Sequence, residues 1–106
     1  MDIKYVTVAA IGELSPGTFK RVSPSRGNHM LICNVGGDIH AIKDACTHDG
    51  GMLGFGQLVD GVIECPRHGA KFSVETGDVL APPASVPLLK YEVRIRDGDI
   101  QVAIRD

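Results

Sequence analysis

Cys46-Thr47-His48 and Cys65-Pro66-Arg67-His68 decide how this chain of 106 residues is to be read. Sixteen residues, 49–64, separate His48 from Cys65. Each short pair offers one thiolate and one imidazole, so two loops together bring two of each to a common centre. That is a metal-ligating pattern. A ββα zinc finger places both cysteines before both histidines, whereas the order here is Cys, His, Cys, His, which points to a different centre. Pro66 fixes φ and helps set a tight turn. Gly50, Gly51 and Gly69 follow the histidines and let backbone approach a bound group closely.

Thiolates are soft, charged donors that stabilise ferric iron and sulfide-bridged cores, while neutral imidazole favours the ferrous state. An oxidised two-iron, two-sulfide core held by two thiolates and two neutral imidazoles sums to a charge of about zero, against about −2 for four thiolates. Adding an electron then costs less. The same donor set also suits tetrahedral Zn²⁺, and a structural zinc-binding module stays open at this point.

Outward from the two pairs, the chain reads as short strands and turns. Tyr5–Ala9 is a strand, Ser15-Pro16-Gly17 a turn, Thr18–Val22 a second strand and Ser23–Asn28 a polar loop. His29–Val35 is nearly continuous in apolar residues, as expected of a strand covered on both faces, and Gly36-Gly37 turns it into Asp38–Lys43. Gln57–Val59 and Val62–Glu64 flank Asp60-Gly61, a two-residue hairpin signal. Both ligand loops are thus fed by strand ends. Ala70–Val74 and Asp78–Leu80 surround Thr76-Gly77, and Ala81-Pro82-Pro83-Ala84 is a stiff connector, either a third loop shielding the metal site or a plain return linker. Leu89, Tyr91, Val93 and Ile95 alternate with charged residues, predicting one half-buried strand that turns at Asp97-Gly98 into Ile100, Val102 and Ile104.

Composition bounds the function. At 11.3 kDa, one domain is expected. Thirteen glycines and six prolines favour an all-β fold, and a net charge of −2 with no Trp gives no basic field for nucleic acid or acidic lipid. The apolar run Val6–Ile11 is too short to span a bilayer or to form a signal segment, so a cytoplasmic protein is expected. Cys33, in an apolar strand, reads as a packed, inert thiol. His29 and His40 lack a ligand at metal spacing and read as ordinary surface or interface histidines. Leu53 and Phe55 are expected to pack the small unit, Met52 to pack or form an apolar rim, and Arg67 and Lys71 to be solvated charges.

CTHDGGML at 46–53 and CPRHGAKFSVETGDVLAPPAS at 65–85 resemble the cluster-binding half of a Rieske [2Fe-2S] protein. The resemblance implies that Cys46 and Cys65 hold an inner iron and His48 and His68 an outer iron of one Rieske-type [2Fe-2S] cluster. It implies an antiparallel β-sandwich base, formed by 1–43 and 83–106, with a cluster-binding subdomain of about 44–82 inserted, all within a single Rieske domain, 1–106. Relatives from respiratory and photosynthetic complexes carry an extra Cys in each loop, joined as a disulfide, where this chain has Gly51 and Arg67. They also place Ser and Tyr hydroxyls near the cluster, where this chain has Ala70 and Phe72. Fewer donors to sulfur imply a potential toward the lower end of the Rieske range, about −150 mV. Ala70→Ser should raise the midpoint in protein-film voltammetry.

No nucleophile–base pair or phosphate loop is visible, and a fully ligated cluster leaves no open site for chemistry. The resemblance to the ferredoxin component of bacterial ring-hydroxylating dioxygenase systems implies a one-electron carrier, not an enzyme. It would be a monomer in isolation, working between a flavin-dependent NAD(P)H ferredoxin reductase and a terminal oxygenase of aromatic hydrocarbon catabolism, both docking at the His48/His68 tip. Alternatives are the small subunit of an assimilatory NADH-nitrite reductase, which would co-purify with a sirohaem subunit, and the zinc module, which would be colourless.

Overall fold

Two Asp-Gly pairs turn the chain sharply enough to build hairpins. Asp60 and Gly61 have φ of 51° and 77°, and Asp97 and Gly98 have 52° and 79°; two successive positive values match the twist of the strands they join. The computed structural model describes residues 3–47 and 49–105. Its strands are β1 (Ile3–Ala10), β2 (Phe19–Ser25), β3 (Asn28–Val35), β4 (Asp38–Lys43), β5 (Gln57–Val59), β6 (Val62–Glu64), β7 (Lys71–Ser73), β8 (Val79–Ala81), β9 (Lys90–Tyr91), β10 (Val93–Arg96) and β11 (Asp99–Arg105). Single 3-10 turns occupy Ile11–Glu13 and Leu53–Phe55. The all-β, antiparallel expectation holds.

The strands form three sheets, ordered β1-β11-β10, β2-β3-β4-β9 and β5-β6-β7-β8. β3 runs through the middle of the second sheet, and its side chains alternate between two cores. Leu31 and Cys33 pack with Ile63, Phe72 and Val74 of the third sheet's segment. Ile32 packs with Ala9, Leu14 and Ile100, and Met30 with Val102 and Ile104, on the side of the first sheet. Both faces of β3 are therefore covered, which explains its unbroken apolar run. Phe72 is fully buried at the centre of the first of these cores, where truncation to Ala would cost about 3–5 kcal/mol.

Two expectations are corrected. Ser23–Asn28 is not a loop: β2 continues through Pro24 to Ser25, with a register shift against β3 between Val22 and Ser25. Proline is tolerated because β2 lies at the edge of its sheet. The predicted single strand through Leu89–Ile95 is two strands in two sheets. β9 pairs with β4 through Ala41↔Tyr91 and Ile42↔Lys90, whereas β10 pairs with β11. The chain changes sheets at Glu92, and Leu89 and Ile95, at 56% and 49% exposure, are not buried.

Candidate metal centre

The two cysteine loops have the same backbone wiring. After β4, the Cys46 N–H donates to the Gly51 carbonyl at 2.7 Å and the Gly50 N–H donates back to the Cys46 carbonyl at 2.7 Å. Between β6 and β7, the Cys65 N–H donates to the Ala70 carbonyl at 2.7 Å and the Gly69 N–H to the Cys65 carbonyl at 3.1 Å. Gly50 and Gly69, each four residues beyond its cysteine, share a φ of 75°, a conformation that costs glycine least. Sequence separates these loops, and the strands bring them face to face.

Their cysteines point inward. Cys46 and Cys65 are 0% and 1% exposed and belong to the same core as Leu31, Ile42, Leu53 and Phe72. Their Sγ atoms and a carboxylate oxygen of Asp49 all lie within 4.8 Å of one another. No disulfide engages Cys33, Cys46 or Cys65. His68, in contrast, keeps half of its side chain exposed, with Nδ1 3.5 Å from Asp49 Oδ2. His48 lies outside the described residues. Two close, buried thiols with an imidazole at the rim fit a group that takes sulfur donors on its inner side and nitrogen donors on its outer side.

Asp49 was not singled out by sequence, because a lone carboxylate beside a histidine carries no metal-spacing signal. Its oxygens are already engaged. Arg67 Nε donates to Oδ2 at 2.8 Å and Arg67 Nη2 to Oδ1 at 3.1 Å, while the Gly51 N–H donates to Oδ1 at 2.9 Å. The hydrogen bond from Arg67, then that from Gly51, holds the Asp49 carboxyl well below the usual carboxylate range. Arg67 is thus an ion-pair partner, correcting its reading as a solvated charge, and its Nη2 also lies 3.5 Å from Cys65 Sγ. Lys71 is exposed, as expected.

Other flanking residues divide. Leu53 is fully buried, but Phe55 is 67% exposed, contrary to the packing role expected of it, with the Arg21 guanidinium carbon 5.2 Å from its ring centroid. Met52 sits at the edge of exposure. The proline connector is not a plain linker: Ala84 is buried in the cysteine core, and Thr47 Oγ1 donates to the Val86 carbonyl at 2.6 Å. His40 is partly buried, with Nδ1 3.3 Å from Lys90 Nζ. Cys33 is fully buried, and burial pushes its thiol up to about 12. Among the described residues, no helix is long and apolar enough to cross a membrane.

Comparison with known proteins agrees with this geometry. A Rieske [2Fe-2S] domain profile matches residues 4–92. Ferredoxin CarAc of Metapseudomonas resinovorans is 37% identical over 97% of this chain and 96% of its own length. The ferredoxin component of biphenyl 2,3-dioxygenase of Rhodococcus jostii is 40% identical over 90% of this chain and 88% of its own. In a solved complex of reduced oxygenase and oxidized ferredoxin in carbazole 1,9a-dioxygenase, one chain superposes with a TM-score of 0.89 at 37% identity, over 93% of this chain and 92% of that one. With kinship running the length of the molecule and its thiols set where such a group needs them, the chain belongs to the Rieske [2Fe-2S] domain family, as an electron carrier with one Rieske cluster and not an enzyme.

Proposed function

We propose that Cys46 and Cys65 bind the inner iron and His48 and His68 the outer iron. The protein then passes single electrons from a flavin-dependent NAD(P)H reductase to a terminal aromatic-ring-hydroxylating oxygenase in the cytoplasm. The observation that carries this reading is the polarity of the site. Both thiols are sealed in the core, while His68 keeps a half-exposed edge on the same loop as Cys65. When bound, the cluster supplies a one-electron site of intermediate potential. The chain's own residues do the rest: Leu53, Ala70 and Phe72 keep water from the thiols, and His68 presents its ring outward. The relatives named as dioxygenase ferredoxins support the oxygenase as one partner.

On this reading residues 44–82 act as the cluster-binding unit of a single domain, 1–106, carried by a base from 1–43 and 83–106. The reductase and the oxygenase share the His48/His68 tip and compete for it. Low-temperature EPR of the dithionite-reduced protein tests the ligands, since its average g value separates mixed His/Cys from all-Cys ligation. Cys65→Ser should purify iron-poor; unchanged iron and labile sulfide would remove Cys65 from the ligand set. Binding of reductase undiminished by saturating oxygenase would overturn the shared tip.

A further inference from the structure

We propose that Asp49 and Arg67 form a non-covalent clasp between the two ligand loops, and that Gly51 lacks a side chain to make room for it. Asp49 lies three residues beyond Cys46 and Arg67 two beyond Cys65, so the pair spans the gap between the loops from outside the thiols. The contact is a two-pronged fork, Nε to Oδ2 and Nη2 to Oδ1 at 2.8 and 3.1 Å, the geometry in which Arg binds carboxylate with most direction. A Cβ built on Gly51 would lie 1.9 Å from Arg67 Nη2 and 2.1 Å from Cζ. Any side chain at 51 would have to expel the guanidinium. The Gly51 N–H also donates to Asp49 Oδ1, so the residue that makes the space also orients the acceptor.

The inference rests on the ligand assignment proposed above for its bearing on the cluster, but the clasp itself joins residues outside that set. Its two charges sit at different places. Arg67 Nη2 is 3.5 Å from Cys65 Sγ, and Asp49 Oδ2 is 3.5 Å from His68 Nδ1. Each charge therefore bears on the cluster with its own sign. Asp49 and Arg67 are positioning residues, partly exposed, and so contribute on the scale of a well-formed surface ion pair.

The test is a double-mutant cycle on cluster-loaded protein with Asp49→Asn, Arg67→Gln and the double variant, and with Arg67→Lys and Gly51→Ala alongside. Cluster loss under a chelator, followed by bleaching of the visible spectrum, should quicken about two- to fivefold in each single variant, the span of such ion pairs. The double variant should lose its cluster no faster than the singles. The midpoint potential should rise in Asp49→Asn, where an anion is removed, and fall in Arg67→Gln, where a cation is removed. Arg67→Lys should keep the parent midpoint while losing retention, because it keeps the charge and not the fork. Gly51→Ala should lose retention as Arg67→Gln does. Additive loss in the double variant, or midpoints moving the same way in both singles, would overturn the clasp. If the parent purifies without iron and labile sulfide, the ligand assignment fails instead. Urea midpoints of the same cycle then decide the clasp by themselves, coupled effects supporting it and additive ones removing it.

Discussion

The Asp44 carboxylate accepts a hydrogen bond from the Gly54 N–H at 2.9 Å, drawing together the two ends of the first cysteine loop. Its other oxygen accepts from Arg21 Nε on β2 at 3.1 Å, and the Asp44 side chain is only 1% exposed. Gly54 is also where the Arg21 stem passes, since a Cβ there would lie 2.3 Å from Arg21 Cδ. Asp44→Ala takes the acceptor from the Gly54 N–H and the counter-charge from the Arg21 guanidinium at the neck of the loop. It should destabilise the holoprotein by about 3 kcal/mol, the low end for breaking a buried pair because Arg21 is half exposed. Asp44→Asn can still accept from Gly54 and should cost about 1 kcal/mol. Urea unfolding followed by far-UV circular dichroism checks both, and equal costs would place the energy outside the Gly54 contact.

A second buried polar group closes the base. Asn34 Nδ2 donates to the Leu14 carbonyl at 2.8 Å, and its Oδ1 accepts from the Gly37 N–H at 2.8 Å. Asn34→Leu removes both hydrogen bonds and leaves the Leu14 carbonyl and the Gly37 N–H without their side-chain partner, at an expected cost of about 2–3 kcal/mol. Asn34→Asp keeps the acceptor to Gly37 but turns the other oxygen toward the Leu14 carbonyl. It should lose stability progressively as the pH rises above about 4, where an ordinary aspartate ionises. Urea midpoints across pH check this against the parent.

His40 gives the base an acid-sensitive point. Burial first, and Lys90 second, lower its pKa, against the opposing pull of Glu75 and Asp38; its Nε2 is buried without a hydrogen-bond partner among the described residues. The unfolded chain then takes up a proton before the folded one does. Stability contributed by neutral His40 is present above the unfolded value of about 6.5 and is lost as pH falls below it, levelling off beneath the folded value. His40→Gln should therefore lose less stability than the parent between about pH 7.5 and pH 5. Parallel urea midpoints at the two pH values measure it, and identical losses would clear His40.

Cys33, packed on β3 with its thiol pushed up to about 12, should resist alkylation at about pH 8 in the folded protein and react fully in denaturant. Peptide mapping by mass spectrometry separates it from the other two cysteines. Cys33→Ala should cost about 1 kcal/mol for the lost sulfur. Cys33→Ser should cost more, about 2–3 kcal/mol, because a hydroxyl would be buried without an assured partner.

What could be read from the chain was set by signals that are local in sequence. The Asp-Gly hairpins, the doubly covered β3 and the Cys/His pairs each announce themselves within a few residues. The change of sheet at Glu92 does not. A period of two fixes which side chains share a face but not which sheet a strand joins, so Leu89 and Ile95 looked buried and are not. Pro24 looked like a strand end because nothing nearby says that β2 is an edge. The Asp49–Arg67 pair spans 18 residues, and its only trace in sequence is a pair of opposite charges, each next to a histidine of the motif.

The register of β1 on β11 sets Ile3 opposite Arg105. Ile3 and Arg105 are thus the adjacent ends of a ladder that runs from there to Ala10↔Asp99. A circular permutant that splices those ends through a short glycine-serine bridge and opens at Gly36-Gly37 would keep every strand partner. Such a molecule should retain the parent's far-UV spectrum, and it would carry fusion partners on the Gly36-Gly37 turn, leaving both cysteine loops as they are.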